Sequence, residues 1–198
     1  TLFQHLFVSF SMKHYLKIFA FILALSNITA QESQTTLAIL DFEGRGINSL
    51  EAATLTDRFT SEIGKTETMT LVDRTMVEEI LKEQGFQQTG CTTDECAVEV
   101  GAMLGVQFMI SGAIGKLGDT FTIDAKMVSV ESGASVETRN VTYIGKVDGL
   151  VTEIELLAWD IMNIEPPQEL KEKKRLGAQA FLEASAAQKT RMGSLMRS

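Results

Sequence analysis

The sequence predicts an α/β (α+β) chain, with a single mixed β-sheet of about five strands flanked by about four helices, and a C-terminal helix added at the end. Three observations predict it. Short apolar runs at residues 36–42 and 68–73 are separated by a stretch whose apolar residues recur at helical spacing. From Val106 the period drops to two, most cleanly where Phe121, Ile123, Ala125 and Met127 alternate with Thr122, Asp124 and Lys126. Residues 150–164 then form a strongly apolar segment longer than an ordinary strand. The implied order is β-α-β-α-α-β-β-β-α. Of 198 residues, 44% are apolar and 22% charged, a balance that supports a packed core and opposes disorder.

Each element has its own signal. Leu37-Ala38-Ile39-Leu40 within residues 36–42 reads as a buried strand, and residues 43–48, with two glycines, as a loop. Ser49 is expected to cap a helix whose apolar face is Ala52, Leu55, Phe59 and Ile63. A second short strand covers 68–73. Thr75-Met76-Val77-Glu78 has capping-box spacing, Ile80 and Leu81 follow, and Gly85 is the terminator. Thr92-Thr93-Asp94-Glu95 opens a third helix with acid in its first turn, running through Ala97, Val98 and Leu104 to Gly105. Strands follow at 106–117, 120–130 and 135–144, separated by Gly118-Asp119 and Glu131-Ser132-Gly133 turns. The helix at 150–164 holds Trp159, the sole tryptophan, expected as a core anchor. Met103, Met109 and Met127 are expected to fill core.

The front of the chain reads as an export signal. Lys13 and Lys17 lie in a short basic region after Met12, Ile18 to Leu25 is an apolar run, and Ala30 offers a small residue for cleavage. Residues 12–30 are therefore expected as a signal peptide, 1–11 as untranslated, and Gln31 as the mature start. The run is shorter than the roughly 20 residues a spanning helix needs. Residues 31–164 form the expected domain. Pro166-Pro167, the only prolines, start a linker and helical tail at 165–198 whose thin apolar stripe is Leu170, Gly177, Phe181, Ala184 and Met192. The tail is expected to stop short of a further domain.

Composition excludes much chemistry. The only histidines, His5 and His14, precede the expected mature start. Without imidazole there is no Ser-His or Cys-His pair and no His-ligated metal. No catalytic, cofactor-binding or metal-ligating residue is assigned, and no cofactor is expected. A net charge of −8 disfavours nucleic acid as a partner. Charge is uneven: residues 31–164 carry 9 basic and 22 acidic side chains, a net of −13, whereas 165–198 carry 7 and 4, a net of +3.

Two local patterns stand out. Cys91 and Cys96 flank the start of the third helix, and in an exported chain a disulfide between them is the first reading. Thiol-redox chemistry, a metal site and two inert thiols are the alternatives, weakened in turn by a spacing that is not C-x-x-C and by the missing histidines. Gly44-Arg45-Gly46-Ile47-Asn48-Ser49 faintly matches G-x-G-x-x-G, but Ser49 replaces the third glycine and Asp41 and Glu43 would repel a pyrophosphate. A structural turn is the better reading. Arg45 and Arg74, at strand ends, are expected as solvated charge.

Taken in order, several blocks resemble the CsgG family, the curli production assembly/transport component. They are Leu37-Ala38-Ile39-Leu40-Asp41-Phe42, Leu71-Val72-Asp73-Arg74, Met76 to Phe86, Gly90-Cys91-Thr92-Thr93-Asp94-Glu95-Cys96 through Gly101, Leu104-Gly105-Val106-Gln107 and Gly112-Ala113-Ile114-Gly115-Lys116. Wider relatives are the penicillin-binding-protein activator LpoB and the N-terminal domain of TolB. The resemblance implies a non-enzymatic periplasmic domain, associated with the outer membrane, that acts in envelope assembly or curli-like secretion by protein contacts. Its partners would be envelope proteins or further copies of itself. The contacts would come from Gly44, Arg45, Gly46 and Asn48, from Thr92, Thr93 and Asp94, and from an exposed strand edge. An LpoB-like activator of a cell-wall synthase is the alternative, and a nucleotide-binding α/β protein a distant one. Two features depart from a CsgG channel. No cysteine sits at the mature start for a lipid anchor, and no long membrane-spanning hairpins are present. Membrane association would then come through a region after Ser198.

Overall fold

A computed structural model describes residues 34–85 and 93–195 of the chain. Six strands form one mixed sheet: β1 (Thr36–Ile39), β2 (Glu43–Arg45), β3 (Thr70–Leu71), β4 (Phe108–Leu117), β5 (Thr120–Ser129) and β6 (Ser135–Ile144). Five helices occur among the described residues: α1 (Ser49–Lys65), α2 (Arg74–Glu83), α3 (Asp94–Leu104), α4 (Val147–Ile161) and α5 (Gln168–Leu195). The predicted α/β class and mixed sheet are as observed.

The strand order is β3-β1-β4-β5-β6. β1 runs parallel to β3 and β4, while β4, β5 and β6 form an antiparallel meander. β2 also lies parallel on β4, with Glu43 opposite Ala113 and Arg45 opposite Gly115. β1 and β2 thus follow one edge of β4 in two pieces, interrupted at residues 40–42. This corrects the expected loop at 43–48, whose first half is strand. Three residues are too few to leave a periodic trace in sequence.

Helices cover both faces unequally. Phe59, Leu55 and Ile63 of α1 and Ile154, Leu157 and Ile161 of α4 bury one face, against Ile110, Ile114, Phe121, Ile123 and Met127. Phe42 and Phe59 meet with ring centroids 5.0 Å apart at a 50° tilt. Val77 and Leu81 of α2 and Ala97 and Val100 of α3 pack on the other face against Ala38, Leu40, Met109 and Val128. That second layer reaches β1, the start of β4 and the end of β5 at Val128.

The caps differ in detail from expectation. Asn48, not Ser49, caps α1: its Oδ1 accepts from Glu51 N (2.8 Å), and Glu51 Oε2 accepts from Asn48 N (3.1 Å). Asp73, not Thr75, caps α2, accepting from Thr75 N at 2.8 Å. α3 starts within the expected segment 92–95 with Asp94 and Glu95 in its first turn, and Thr93 is its cap. Of the methionines expected in the core, Met109 and Met127 are buried, whereas Met103 is partly exposed.

Candidate functional site

The part of the sheet left uncovered by α2 and α3 is the candidate site. Pleating sends alternate side chains to this face. Register then builds the rows Ser111-Lys126-Thr138, Glu43-Ala113-Asp124-Asn140 and Arg45-Gly115-Thr122-Thr142 across β2, β4, β5 and β6. Thr122, Asp124, Thr138, Asn140 and Thr142 are exposed, while every alternate neighbour on β5 from Phe121 to Met127 is buried. The surface is a sheet of hydroxyls, amides and paired charge, with Leu117 (86% exposed) and Ile144 (60% exposed) at one end. No helix among the described residues lies over it.

Two charge pairs rim the face. Arg45 Nη2 meets Glu43 Oε2 at 2.6 Å, and this bond holds the Arg45 guanidinium firmly protonated. Lys126 Nζ donates to both oxygens of Asp94 at 3.0 Å, tying the start of α3 to β5. Between them is a shallow cavity of about 270 Å³ lined by Arg45, Asp94, Ser111, Asp124, Lys126 and Thr138. Arg45 and Asp94, from segments far apart in sequence, therefore share one site.

Of the other sequence-predicted contact residues, Gly44, Gly46, Asn48 and Thr93 have structural duties. A Cβ on Gly44 would sit 3.1 Å from Ile47 Cγ1 and 3.3 Å from Ala52, so its bareness lets β2 close on α1. Gly46 has φ +84°, and a Cβ there would lie 2.8 Å from the Lys116 carbonyl oxygen. Asn48 and Thr93 are helix caps. Thr92 and Cys91 lie outside the described residues, and Cys96 sits in the first turn of α3.

Sequence reasoning missed Asp124, Lys126, Thr138, Asn140 and Thr142 as site residues. Their signal was present in the polar half of the alternation, which marks side chains that leave the core without saying whether another layer covers them. It also took Arg74 for solvated charge. Arg74 instead bonds Asp41 Oδ2 (2.9 Å) and Glu78 Oε1 (2.8 Å), and pairs with Asp57. Burial raises the Asp41 carboxyl above its ordinary value against the pull of Arg74.

A third cluster joins α1, α4 and α5. Glu155, 1% exposed, accepts from Arg58 Nε (2.5 Å) and Lys173 Nζ (2.8 Å), and Glu153 accepts from Lys174 Nζ (2.9 Å). Trp159, expected as a core anchor, is half-buried, and its Nε1 donates to the buried Glu62 at 3.2 Å. These are fixed ion pairs within the fold. Among the described residues no helix is long and apolar enough to cross a membrane.

Comparison with known proteins adds the family. The profile of the peptidoglycan-synthase activator LpoB matches residues 19–136, more than half of the chain. No curated protein matches the chain. Among solved structures, the LpoB C-terminal domain from Salmonella enterica is 12% identical over 62% of this chain and 92% of its own, with a TM-score of 0.48. The corresponding Escherichia coli domain is 14% identical over 61% and 92%, with a TM-score of 0.47. Lipoprotein GNA1162 from Neisseria meningitidis is 11% identical over 77% and 96%, with a TM-score of 0.49. At this identity they bear on no functional residue. The profile match overturns the CsgG assignment and the curli-like secretion that came with it. Every block that carried the CsgG resemblance, from Leu37 to Lys116, lies inside the span that the LpoB profile accounts for.

Proposed function

This chain belongs to the peptidoglycan-synthase activator LpoB family, and we propose that it is a non-enzymatic activator of a penicillin-binding cell-wall synthase. The observation that carries this is the family match over residues 19–136. It acts in the periplasm, in keeping with the export pattern at residues 12–30. Activation by a protein without chemistry of its own needs a surface that binds the enzyme and favours its active state.

The open face of β2, β4, β5 and β6 is that surface. It is flat, polar and set on a rigid sheet, and the rim pairs Arg45–Glu43 and Lys126–Asp94 offer charge on both sides. The test is binding of a purified penicillin-binding synthase to the immobilised chain. Asp124→Arg reverses an exposed charge at the centre of the face without entering the core. It is expected to weaken binding at least tenfold, a loss of about 1.4 kcal/mol or more, with the melting temperature unchanged. Unaltered affinity for that variant would move the docking surface elsewhere.

A further inference from the structure

Strand β6 ends the sheet, and among the described residues it pairs with β5 alone. The Gly145 amide donates to the Asp119 carbonyl at 3.0 Å, and Tyr143 lies opposite Phe121. In an antiparallel ladder, that phase turns the main-chain groups of odd-numbered β6 residues toward β5. Thr138, Asn140, Thr142 and Ile144 therefore direct theirs outward. Arg139 Nη1 donates to the Thr138 carbonyl at 3.0 Å, which leaves that oxygen a second lone pair. The ladder shift at Met127/Val128 falls at the beginning of the strand, and Glu137 to Ile144 pair regularly.

The even-numbered side chains read Val136, Thr138, Asn140, Thr142, Ile144. This pattern is the same in both directions: a β-branched apolar residue, Thr, Asn, Thr, a β-branched apolar residue. Val136 is 43% and Ile144 60% exposed. The strand has no Pro and no Lys, two residues that commonly blunt an edge. Glu137 and Arg139 are bonded to each other and to Asn163, so they bring no unmatched charge to the edge.

We propose that two copies of this chain pair antiparallel through β6 about a twofold axis at Asn140. Asn140 lies opposite Asn140 of the second copy, and Thr138 opposite its Thr142. Directly opposed side chains of these kinds stabilise a strand pair. The twofold axis stands perpendicular to the sheet, so both open faces look the same way and form one surface. This rests on the strand alone and is independent of what that surface binds.

The register is specific enough to trap. Opposed residues that exchange hydrogen bonds have Cα atoms about 5.5 Å apart, within disulfide reach. Thr142 is displaced from its own copy by four positions, about 13 Å along the strand. Asn140→Cys and Thr142→Cys are made in the full chain and oxidised with copper-phenanthroline. Asn140→Cys is expected to give a reductant-sensitive covalent dimer at least ten times more abundant than Thr142→Cys gives. Light scattering of the unmodified chain is expected to show twice the monomer mass at high concentration. Thr142→Pro, at an edge position whose amide faces outward, is expected to halve that mass with an unchanged far-ultraviolet spectrum. A unmodified chain that stays monomeric overturns the proposal, and so does equal cross-linking of the two cysteine variants.

Discussion

Single residues divide here into those that serve the fold and those that meet solvent with no duty inside. Gly44, Gly46, Asn48 and Thr93 belong to the first group, although their types and positions suggested contact. Sequence cannot separate a capping Asn from a binding Asn, because both need a polar side chain at a loop–helix junction. Arg45 and Asp94 line the candidate site, each held by one opposite charge, and Asp94 also ties α3 to β5. For the remaining predicted pair, we propose that Cys91 and Cys96 form a disulfide that pins the segment before α3. The closed loop is short, so the stabilisation expected is about 2 kcal/mol. Replacing both with serine should lower the melting temperature under oxidising conditions and leave it unchanged in reductant. Equal melting of the parent chain with and without reductant would refute the bond.

At the scale of elements, length decided what was legible. β5, β6, α1 and α4 carry enough periods to be read from residue pattern, and Ser135–Ile144 is observed as expected. β2 and the break at residues 40–42 were not legible, since parallel pairing to β4 is imposed from outside the segment. The sequence pattern marks α5 as a helix with a thin stripe but not its attachment through Lys173 and Lys174, because acids in α4 have the spacing of ordinary solvated charge. Burial pushes the Glu155 carboxyl up, and Lys173 and Arg58 together outweigh that and hold it below its ordinary 4.5. A depressed folded value means the stabilisation is fully present above the unfolded value and is lost as pH falls through the folded one. Acidification from about pH 5 downward should therefore loosen α5 from α4. Amide protection along Gln168–Leu195, taken relative to the intrinsic exchange rate at each pH, should fall over that window, and Lys173→Ala should bring the same loss at neutral pH. Exchange in α5 that ignores both would show that the lysine contacts do not hold it.

The unit from Gln34 onward is a sheet covered by helices on both faces, completely on one and partly on the other. α1 and α4 complete one side, while α2 and α3 cover β1, the start of β4 and the end of β5 on the other. The fold class was legible because alternation and helical spacing are local. The open face was not, because it depends on where helices from elsewhere in the chain come to rest. The family was misassigned for a related reason: blocks at strand ends and helix starts describe an architecture more sharply than they separate one family from another. The central claim is that this architecture activates a cell-wall synthase. Its most direct measurement is the rate of glycan-strand polymerisation by a purified penicillin-binding synthase titrated with the whole chain. A saturable increase in rate, reduced by Asp124→Arg, is the result expected. A rate that stays flat while the chain is bound to the synthase would contradict it.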